Sequence, residues 1–95
     1  DYTLIKHVFG KCIDQAKSNE KKNGTIPHMW GCKYPTKEHT MIENQAWRYN
    51  KTAKHIKNQF SKCLDYPKHR GDNSIQLYDC SSSVWKNQEF DIIEI

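Results

Sequence analysis

Long apolar stretches are scarce in this sequence, and their scarcity limits the classes of protein it can belong to. Hydrophobic residues make up 36% of the 95 residues, and the mean hydropathy is -0.97. No run approaches the roughly 20 apolar residues that a membrane-spanning helix needs, so we expect no membrane insertion. Three Trp, five Tyr and three Phe are nevertheless too many for a disordered segment. The composition therefore predicts one small, polar domain over residues 1–95, whose modest core needs cross-links.

Sequence patterns of metal binding, catalysis and nucleic-acid binding are missing as well. There is no Cys-x-x-Cys pair for zinc, no Ser-His-Asp pattern and no Gly-rich phosphate loop. The formal net charge is +4, but Lys and Arg are interleaved with Asp and Glu rather than gathered in a basic stripe. We therefore expect no metal, no cofactor, no nucleic-acid partner and no enzyme activity in this chain.

Five histidines keep one catalytic alternative open, a small basic nuclease that uses His as general acid and base. Nothing in the sequence places two of them side by side. Neither His7 nor His55 is matched by His at the equivalent position of the repeat described below. The five are His7, His28, His39, His55 and His69.

Four cysteines, at positions 12, 32, 63 and 80, can supply the cross-links. An even number in a small domain favours disulfides over metal binding, although three pairings are possible. Two Asn-x-Thr acceptor sequences for N-glycosylation begin at Asn23 and Asn50. Both features favour an oxidising compartment, so we predict a secreted protein or one of the secretory-pathway lumen or cell surface.

The sequence contains two copies of one repeat, which we place at about residues 2–50 and 51–95. Three landmarks recur in the same order, with length differences confined to the polar stretches between them. They are IKHVFGKCID (5–14) and IKNQFSKCLD (56–65), WGC (30–32) and YDC (78–80), and NQAW (44–47) and NQEF (87–90).

The matched pieces predict short strands, because they are rich in aromatic and β-branched residues and are bounded by Gly, Pro, Asn, Ser or Lys. They include residues 5–9 and 56–60, and no segment has the apolar stripe of an amphipathic helix. We expect an all-β chain with about four strands per repeat. Equivalence of the copies predicts the pairs Cys12–Cys32 and Cys63–Cys80, each closing a loop of about 20 residues.

These landmarks resemble the repeat of ricin B-type lectins: Cys-[Ile/Leu]-Asp, an aromatic residue two positions before a Cys, and Asn-Gln-x-[Trp/Phe]. The family's Gln-x-Trp motif stands here at residues 45–47 and 88–90. The likeness covers nearly the whole chain. It is nearest to the lectin domain attached to polypeptide N-acetylgalactosaminyltransferases, which has a similar loop at residues 17–22. The resemblance implies a β-trefoil-like fold that binds galactose or N-acetylgalactosamine on glycans.

The resemblance also implies a shallow sugar site in each repeat. A carboxylate accepts hydrogen bonds from two sugar hydroxyls, a ring lies under the apolar sugar face, an Asn donates to a hydroxyl, and a further polar residue assists. His28 departs from the Gln that is common in the family. Matched by position, the sites are Asp14, His28, Trp30 and Asn44, with Gln45 beside them, and Asp65, Gln76, Tyr78 and Asn87, with Gln88 beside them.

Structural interpretations of the same residues stay open. We expect the amides of Gln45 and Gln88 to bond backbone, and Trp47 and Phe90 to lie in the core. An alternative is that the ring before the second Cys of each repeat lies in the core. Another is that the two Asp residues orient turns by bonding backbone amides. The rival function is a protein-interaction or assembly module with inactive sugar pockets.

A β-trefoil has three repeats, whereas this chain has two. Four barrel strands cannot close, and open strand edges invite pairing with another chain. The chain is then a fragment of a longer protein, or a partner chain supplies the third repeat, or the fold departs from the trefoil. We expect a fragment, whose parent could be an enzyme while this module is not catalytic.

Overall fold

A computed structural model describes residues 2–16, 18–38, 43–67, 74–81 and 86–93. Within these ranges the regular structure consists of strands and 3-10 turns, which confirms the all-β prediction. The strands are β1 Lys11–Asp14, β2 His28–Gly31, β3 Arg48–Asn50, β4 His55–Lys57, β5 Lys62–Asp65 and β6 Gln76–Asp79. The 3-10 turns are Glu43–Gln45 and Lys86–Gln88.

Two antiparallel sheets carry the two repeats. One sheet pairs β1 with β2, and the other has the order β3-β4-β5-β6, so that repeat one contributes β3 to the sheet of repeat two. In the β1–β2 hairpin Asp14 lies opposite His28, and in the β5–β6 hairpin Asp65 lies opposite Gln76. The equivalent positions of the sequence repeat therefore occupy equivalent positions in the two hairpins.

Each hairpin is closed by a disulfide, Cys12–Cys32 in repeat one and Cys63–Cys80 in repeat two. Both pairs are the ones that the repeat predicts, with sequence separations of 20 and 17 residues. Cross-links over loops of this length restrict the unfolded chain, and in the chain-entropy model each stabilises the fold by roughly 3 kcal/mol.

Each repeat has three strands in the described part of the chain, not about four. Repeat one lacks an equivalent of β4, at residues 4–6, and repeat two lacks an equivalent of β3, at residues 91–93. The amide of Trp47 donates to the carbonyl of Thr3 at 3.0 Å, and the amide of Phe90 donates to that of Lys54 at 2.9 Å. Thr3 also donates to the carbonyl of Trp47 at 2.8 Å and Lys6 forms a bridge with Cys12, but these isolated bridges do not extend into a ladder.

The strands predicted over residues 5–9 and 56–60 also end earlier than expected. Residues 8–9 and 59–60 form turns, and the next residue has positive φ in both repeats: 99° at Gly10 and 64° at Ser61. Because this left-handed conformation reverses the chain, a strand cannot continue through the Phe of either copy. Phe9 and Phe60 therefore stand at hairpin tips.

The core is small and is shared by the two repeats. Trp47, Ile56, Leu64 and Leu77 form its buried centre, and Phe90 packs against it, as predicted for the aromatic residues of the Asn-Gln-x-[Trp/Phe] motif. The indole Nε1 of Trp47 donates to the carbonyl of Ile13 at 3.2 Å. This bond satisfies the polar group that the buried ring carries into the core.

The rings before the second Cys do not belong to the core. Trp30 is 59% exposed and Tyr78 is 45% exposed, so the alternative that they are core aromatics is wrong. The rings stand on the short strands β2 and β6, and their flat surfaces are open to solvent.

Residues 19–25 of repeat one cover one side of repeat two. The amide of Gly24 donates to the carbonyl of Leu77, and the amide of Leu77 donates to the carbonyl of Thr25, both at 2.7 Å. The Nζ of Lys21 lies 5.0 Å from the ring centre of Phe60. As a result Leu77 is fully buried.

The corresponding side of repeat one is open. Phe9 and Met29, the equivalents of Phe60 and Leu77, are 88% and 44% exposed. The two hairpins therefore have the same backbone arrangement, but residues 19–25 cover the outer side of the second and leave that of the first exposed.

Candidate functional site

Asp65 lies at the end of β5 in the centre of a cluster of amide groups, and it is 3% exposed. Its Oδ2 accepts hydrogen bonds from Asn87 Nδ2 at 2.8 Å and from Gln88 Nε2 at 2.9 Å, and its Oδ1 accepts a longer bond of 3.4 Å from Gln76. A carboxylate has about four lone-pair positions, so these three donors leave capacity for a ligand hydroxyl.

Gln88 fixes this cluster to the backbone around it. Besides its bond to Asp65, its Nε2 donates to the carbonyl of Asp79 at 2.9 Å, and its Oε1 accepts from the amide of Ser81 at 2.8 Å. The side chain therefore joins the second 3-10 turn to the end of β6. The structural role predicted for Gln88, bonding to backbone, is confirmed.

Repeat one repeats this arrangement around Asp14, which is also 3% exposed. Its Oδ2 accepts from Asn44 Nδ2 at 3.1 Å and from Gln45 Nε2 at 2.8 Å. Its Oδ1 lies 2.9 Å from Nε2 of His28, which takes the place of Gln76. Each carboxylate thus bonds the side chains that stand at the predicted site positions of its own repeat.

Gln45 makes the backbone contacts that Gln88 makes in the other repeat. Its Nε2 donates to the carbonyl of Gly31 and its Oε1 accepts from the amide of Lys33, both at 2.9 Å. Lys33 therefore occupies the position of Ser81, directly after the second Cys of the repeat.

Beside Asp65 the surface forms a hollow of about 370 Å³. Asp65 and Tyr78 project from the same face of the β5–β6 hairpin, since their strand positions alternate in step. The hollow is lined by Asp65, Tyr78, Asp79, Cys80, Ser81, Asn87 and Gln88.

Among the predicted residues, Asp65, Tyr78 and Asn87 meet in this hollow, and Gln76 reaches it through its bond to Asp65. The Oδ1 of Asn87 is buried and has no donor among the described residues. In repeat one the ring of His28 meets Trp30 edge to face at 5.9 Å, beside Asp14.

This pairing of a buried carboxylate, an amide cluster and an exposed ring occurs once in each repeat of an all-β chain. A comparison with protein families finds that the ricin-type beta-trefoil lectin domain matches residues 1–94. The chain belongs to the ricin-type β-trefoil lectin family. Lectin domains of this family are non-catalytic modules that bind carbohydrate. Among curated protein sequences, none matches the chain.

A larger groove, of about 840 Å³, lies elsewhere on this lectin domain, where residues 3–6 face the core. Its walls are mainly apolar, with Ile5, Trp47 and Ile56 among them. Asp91 at its edge is already paired with Lys54 at 2.9 Å. The groove lacks the carboxylate–amide–ring combination of the hollow, so the hollow is the candidate site.

The opposite face of β6 holds an exposed ionic contact between the repeats. Asp79 is paired with Lys62 and accepts a hydrogen bond from Asn23 Nδ2 at 3.0 Å, while Lys62 donates to Asn23 Oδ1 at 2.9 Å. The hydrogen bond from Lys62, and then that from Asn23, lowers the pKa of the Asp79 carboxyl below its ordinary 3.8. Elsewhere, the hydrogen bond to Asp91 raises the pKa of Lys54 above its ordinary 10.5.

Both predicted glycosylation acceptors lie on the surface of the lectin domain. Asn23 belongs to the ionic contact just described. The Oδ1 of Asn50 accepts from the amides of Thr52 and Ala53 at 2.9 and 3.1 Å, which leaves its Nδ2 outside the turn.

The described histidines have separate environments. His28 contacts Asp14, and Nδ1 of His7 accepts from the amide of Phe9 at 3.1 Å. A ring nitrogen of His55 lies within 4.8 Å of both sulfur atoms of the Cys63–Cys80 bridge, but these sulfurs are bonded to each other and are not thiolate ligands. His39, His69 and the start of the loop at residues 17–22 lie outside the described residues.

Two features of the sites were missed in the sequence. The residue after the second Cys, Lys33 or Ser81, donates its backbone amide to the Gln of the Asn-Gln-x-[Trp/Phe] motif in its own repeat. Aligning the two copies pairs these positions, but their residue types do not indicate the bond. Asn58 joins the repeats by donating to Gln15 Oε1 and the carbonyl of Glu20, both at 2.9 Å. Its equivalent is His7, so the repeat carried no signal for it.

In the part of the chain that the structure describes, no helix has the length and apolar character needed to span a membrane.

Proposed function

We propose that this lectin domain binds terminal galactose or N-acetylgalactosamine of glycans, at one site in each repeat. The observation that supports the proposal best is the hollow of repeat two, where a carboxylate, an exposed ring and an amide lie side by side. A hexose presents hydroxyls that need polar partners and a patch of C–H groups that an aromatic face can cover.

In the second site Asp65 accepts a hydrogen bond from a sugar hydroxyl at the position that its three side-chain donors leave open, and Tyr78 lies under the apolar sugar face. Asn87 donates the free hydrogen of its Nδ2 to a hydroxyl, and Gln76 orients the carboxylate. In the first site Asp14, Trp30, Asn44 and His28 have the same roles. Gln45 and Gln88 hold the carboxylates in place.

Each site is shallow, so we expect weak binding, with Kd on the order of millimolar to tens of micromolar, or about -4 to -6 kcal/mol. Glycans with several branches would engage both sites of one chain. The second contact then gains from the high effective concentration created by the first.

The test is an NMR titration of the isotopically labelled chain with galactose, N-acetylgalactosamine and, as control, glucose. We expect the first two sugars to shift the Trp30 indole signal and the amide signals around Tyr78. Asp65→Ala should abolish the response of the second site and leave that of the first, and Asp14→Ala should do the reverse. If neither galactose nor N-acetylgalactosamine perturbs either site of the wild-type chain, the proposal is wrong.

A second candidate function, protein interaction, is favoured by one observation, the exposed apolar side of repeat one around Val8 and Phe9. It predicts that a partner protein is still bound by Asp65→Ala and is lost on Phe9→Ser. The lectin proposal predicts that a glycosylated partner is lost when Asp14→Ala and Asp65→Ala are combined and is still bound by Phe9→Ser.

We further propose that the chain is secreted or lies in the secretory pathway, as its two disulfides suggest, and that it carries N-glycans on Asn23 or Asn50. Its two repeats would extend over about residues 2–50 and 51–95. We keep the likeness to the lectin domain of polypeptide N-acetylgalactosaminyltransferases as part of this proposal. Mass spectrometry of the protein from its native source, before and after enzymatic deglycosylation, tests the glycans and the extent of the chain.

A further inference from the structure

We propose that the two sites differ in ligand charge: the first site takes a galactose-type glycan that bears an anionic group, a carboxylate or a sulfate, and the second takes a neutral glycan. This inference rests on the proposed function, because it names the glycan class of the same two sites. The residues that carry it are Lys33 and His28 in repeat one and their equivalents Ser81 and Gln76 in repeat two.

The position of Lys33 at the first site follows from matching hydrogen bonds. The amide of Ser81 donates to Gln88 at 2.8 Å, and the amide of Lys33 donates to Gln45 at 2.9 Å; each Gln in turn donates to the site carboxylate. Since Ser81 lines the hollow of the second site, the backbone of Lys33 stands at the rim of the first. Its side chain is exposed there.

A second difference in charge lies opposite the site carboxylates. His28 Nε2 is 2.9 Å from Asp14, while Gln76 fills this place at Asp65. The imidazole is a second basic group at the first site, and 43% of its side chain is accessible. Gln76 is neutral at every pH, so it offers an anion no charge.

Asp79 does not add to this difference, because its side chain lies on the opposite face of β6 and is paired with Lys62. At the rim, repeat one therefore has Lys33 where repeat two has Ser81. The carboxylate of Asp14 does not cancel this difference, because Asp65 is present at the same place in repeat two.

A Lys on an exposed rim raises the affinity for an anionic sugar modestly, and this increase depends on the salt concentration. Exposed ion pairs are weak and are screened within roughly 10 Å at 0.1 M salt. For an anionic sugar we expect binding about three- to fivefold tighter than for its neutral parent, at low ionic strength and at the first site alone.

The test compares lactose with sialyllactose and with sulfated lactose, with NMR signals that report each site separately: the Trp30 indole for the first and the Tyr78 amide for the second. We expect both anionic glycans to be preferred at the first site and this preference to vanish in 0.5 M salt. If only one of them is preferred, the result identifies which anionic group the site accepts.

The matched variants exchange the rim residues. Lys33→Ser should remove the preference of the first site and keep its binding of lactose, and Ser81→Lys should give the second site the preference. Both positions are at the surface, and an unchanged amide spectrum checks that each variant is folded. The variant His28→Gln measures how much of the preference for anionic glycans comes from the imidazole rather than from Lys33.

Equal binding of lactose and the anionic glycans at the first site would overturn the inference and leave the proposed function standing. So would a preference that survives Lys33→Ser together with His28→Gln. If no glycan of either kind binds at either site, both the proposed function and this inference are wrong.

Discussion

Asp14 and Asp65 are charged side chains held almost completely out of water, and their amide neighbours make this placement stable. A buried carboxylate without hydrogen-bond donors is costly, whereas three donors spread its charge and fix its orientation. The Gln of each Asn-Gln-x-[Trp/Phe] motif bonds both the carboxylate and two backbone groups. The motif is therefore recognisable in the sequence because it supports the fold and the site at once.

We expect Gln88→Leu to lower the free energy of unfolding by about 1–3 kcal/mol, because Asp65 loses a donor and the carbonyl of Asp79 loses its partner. Urea denaturation monitored by circular dichroism measures the change. Glu89→Leu is the control, since Glu89 is exposed and pairs with Lys86 at the surface. A Gln88→Leu variant as stable as Glu89→Leu would contradict this account of the cluster.

The exposed contact of Asp79 predicts a pH effect of known sign. Because the folded-state pKa of Asp79 lies below that of the unfolded chain, the contact stabilises the fold at neutral pH and its contribution disappears as the pH falls through the folded-state pKa. In Lys62→Met we expect the Asp79 pKa to rise toward its ordinary value, measured by carboxyl-carbon NMR titration. An unaltered Asp79 pKa would show that Lys62 is not the cause.

At the scale of the hairpin, the two repeats have the same design and different surroundings. Residues 19–25 pair with β6 through Leu77, while Met29 on β2 is partly exposed. Equivalent substitutions should therefore have unequal effects.

We expect Leu77→Ala to cost about 2–5 kcal/mol, as for other fully buried Leu residues, and Met29→Ala to cost less than about 1 kcal/mol. Thermal and urea unfolding of the two variants under the same conditions makes the comparison. Equal losses would mean that the side of repeat one around Met29 is covered in solution.

The hairpins, their disulfides and the core place of Trp47 could be predicted from the sequence, because each depends on a local pattern that occurs twice. The exposure of Phe9 and the partial burial of Phe60 could not. Both belong to the same motif, and only the packing of residues 19–25 on one of them separates their environments. The early end of the strands predicted over residues 5–9 and 56–60 could not be predicted either, since Gly10 and Ser61 act through backbone conformation and Ser has no strong preference for positive φ.

The candidate site was predictable to the same extent. Asp65, Tyr78 and Asn87 were identified from the repeat and its family resemblance, and they meet at one hollow. The part played by Ser81 and Lys33 depends on backbone hydrogen bonds to Gln88 and Gln45, which leave no trace in residue type.

For the whole molecule, two proposed sites on one small chain predict avidity. On a surface densely coated with galactose-terminated glycans, we expect the wild type to be retained at least about tenfold more strongly than Asp14→Ala or Asp65→Ala, because linked sites can gain a factor of roughly 10²–10⁴. Surface plasmon resonance at high and low glycan density measures the effect. At low density the advantage should disappear; if it is absent at both densities, only one site binds or the two sites cannot engage the surface together.

Because residues 19–25 cover the second hairpin and not the first, the two hairpins should differ in how easily they open. The outer edge of β6 is released only when residues 19–25 peel away from it, and this movement also breaks the bonds of Asn58 and Asn23. The hairpin of β1 and β2 has an open outer side, so it can loosen without disturbing its neighbour. Amide protons of the first hairpin should then exchange with solvent through small local openings, and those of the second mainly when the whole domain unfolds.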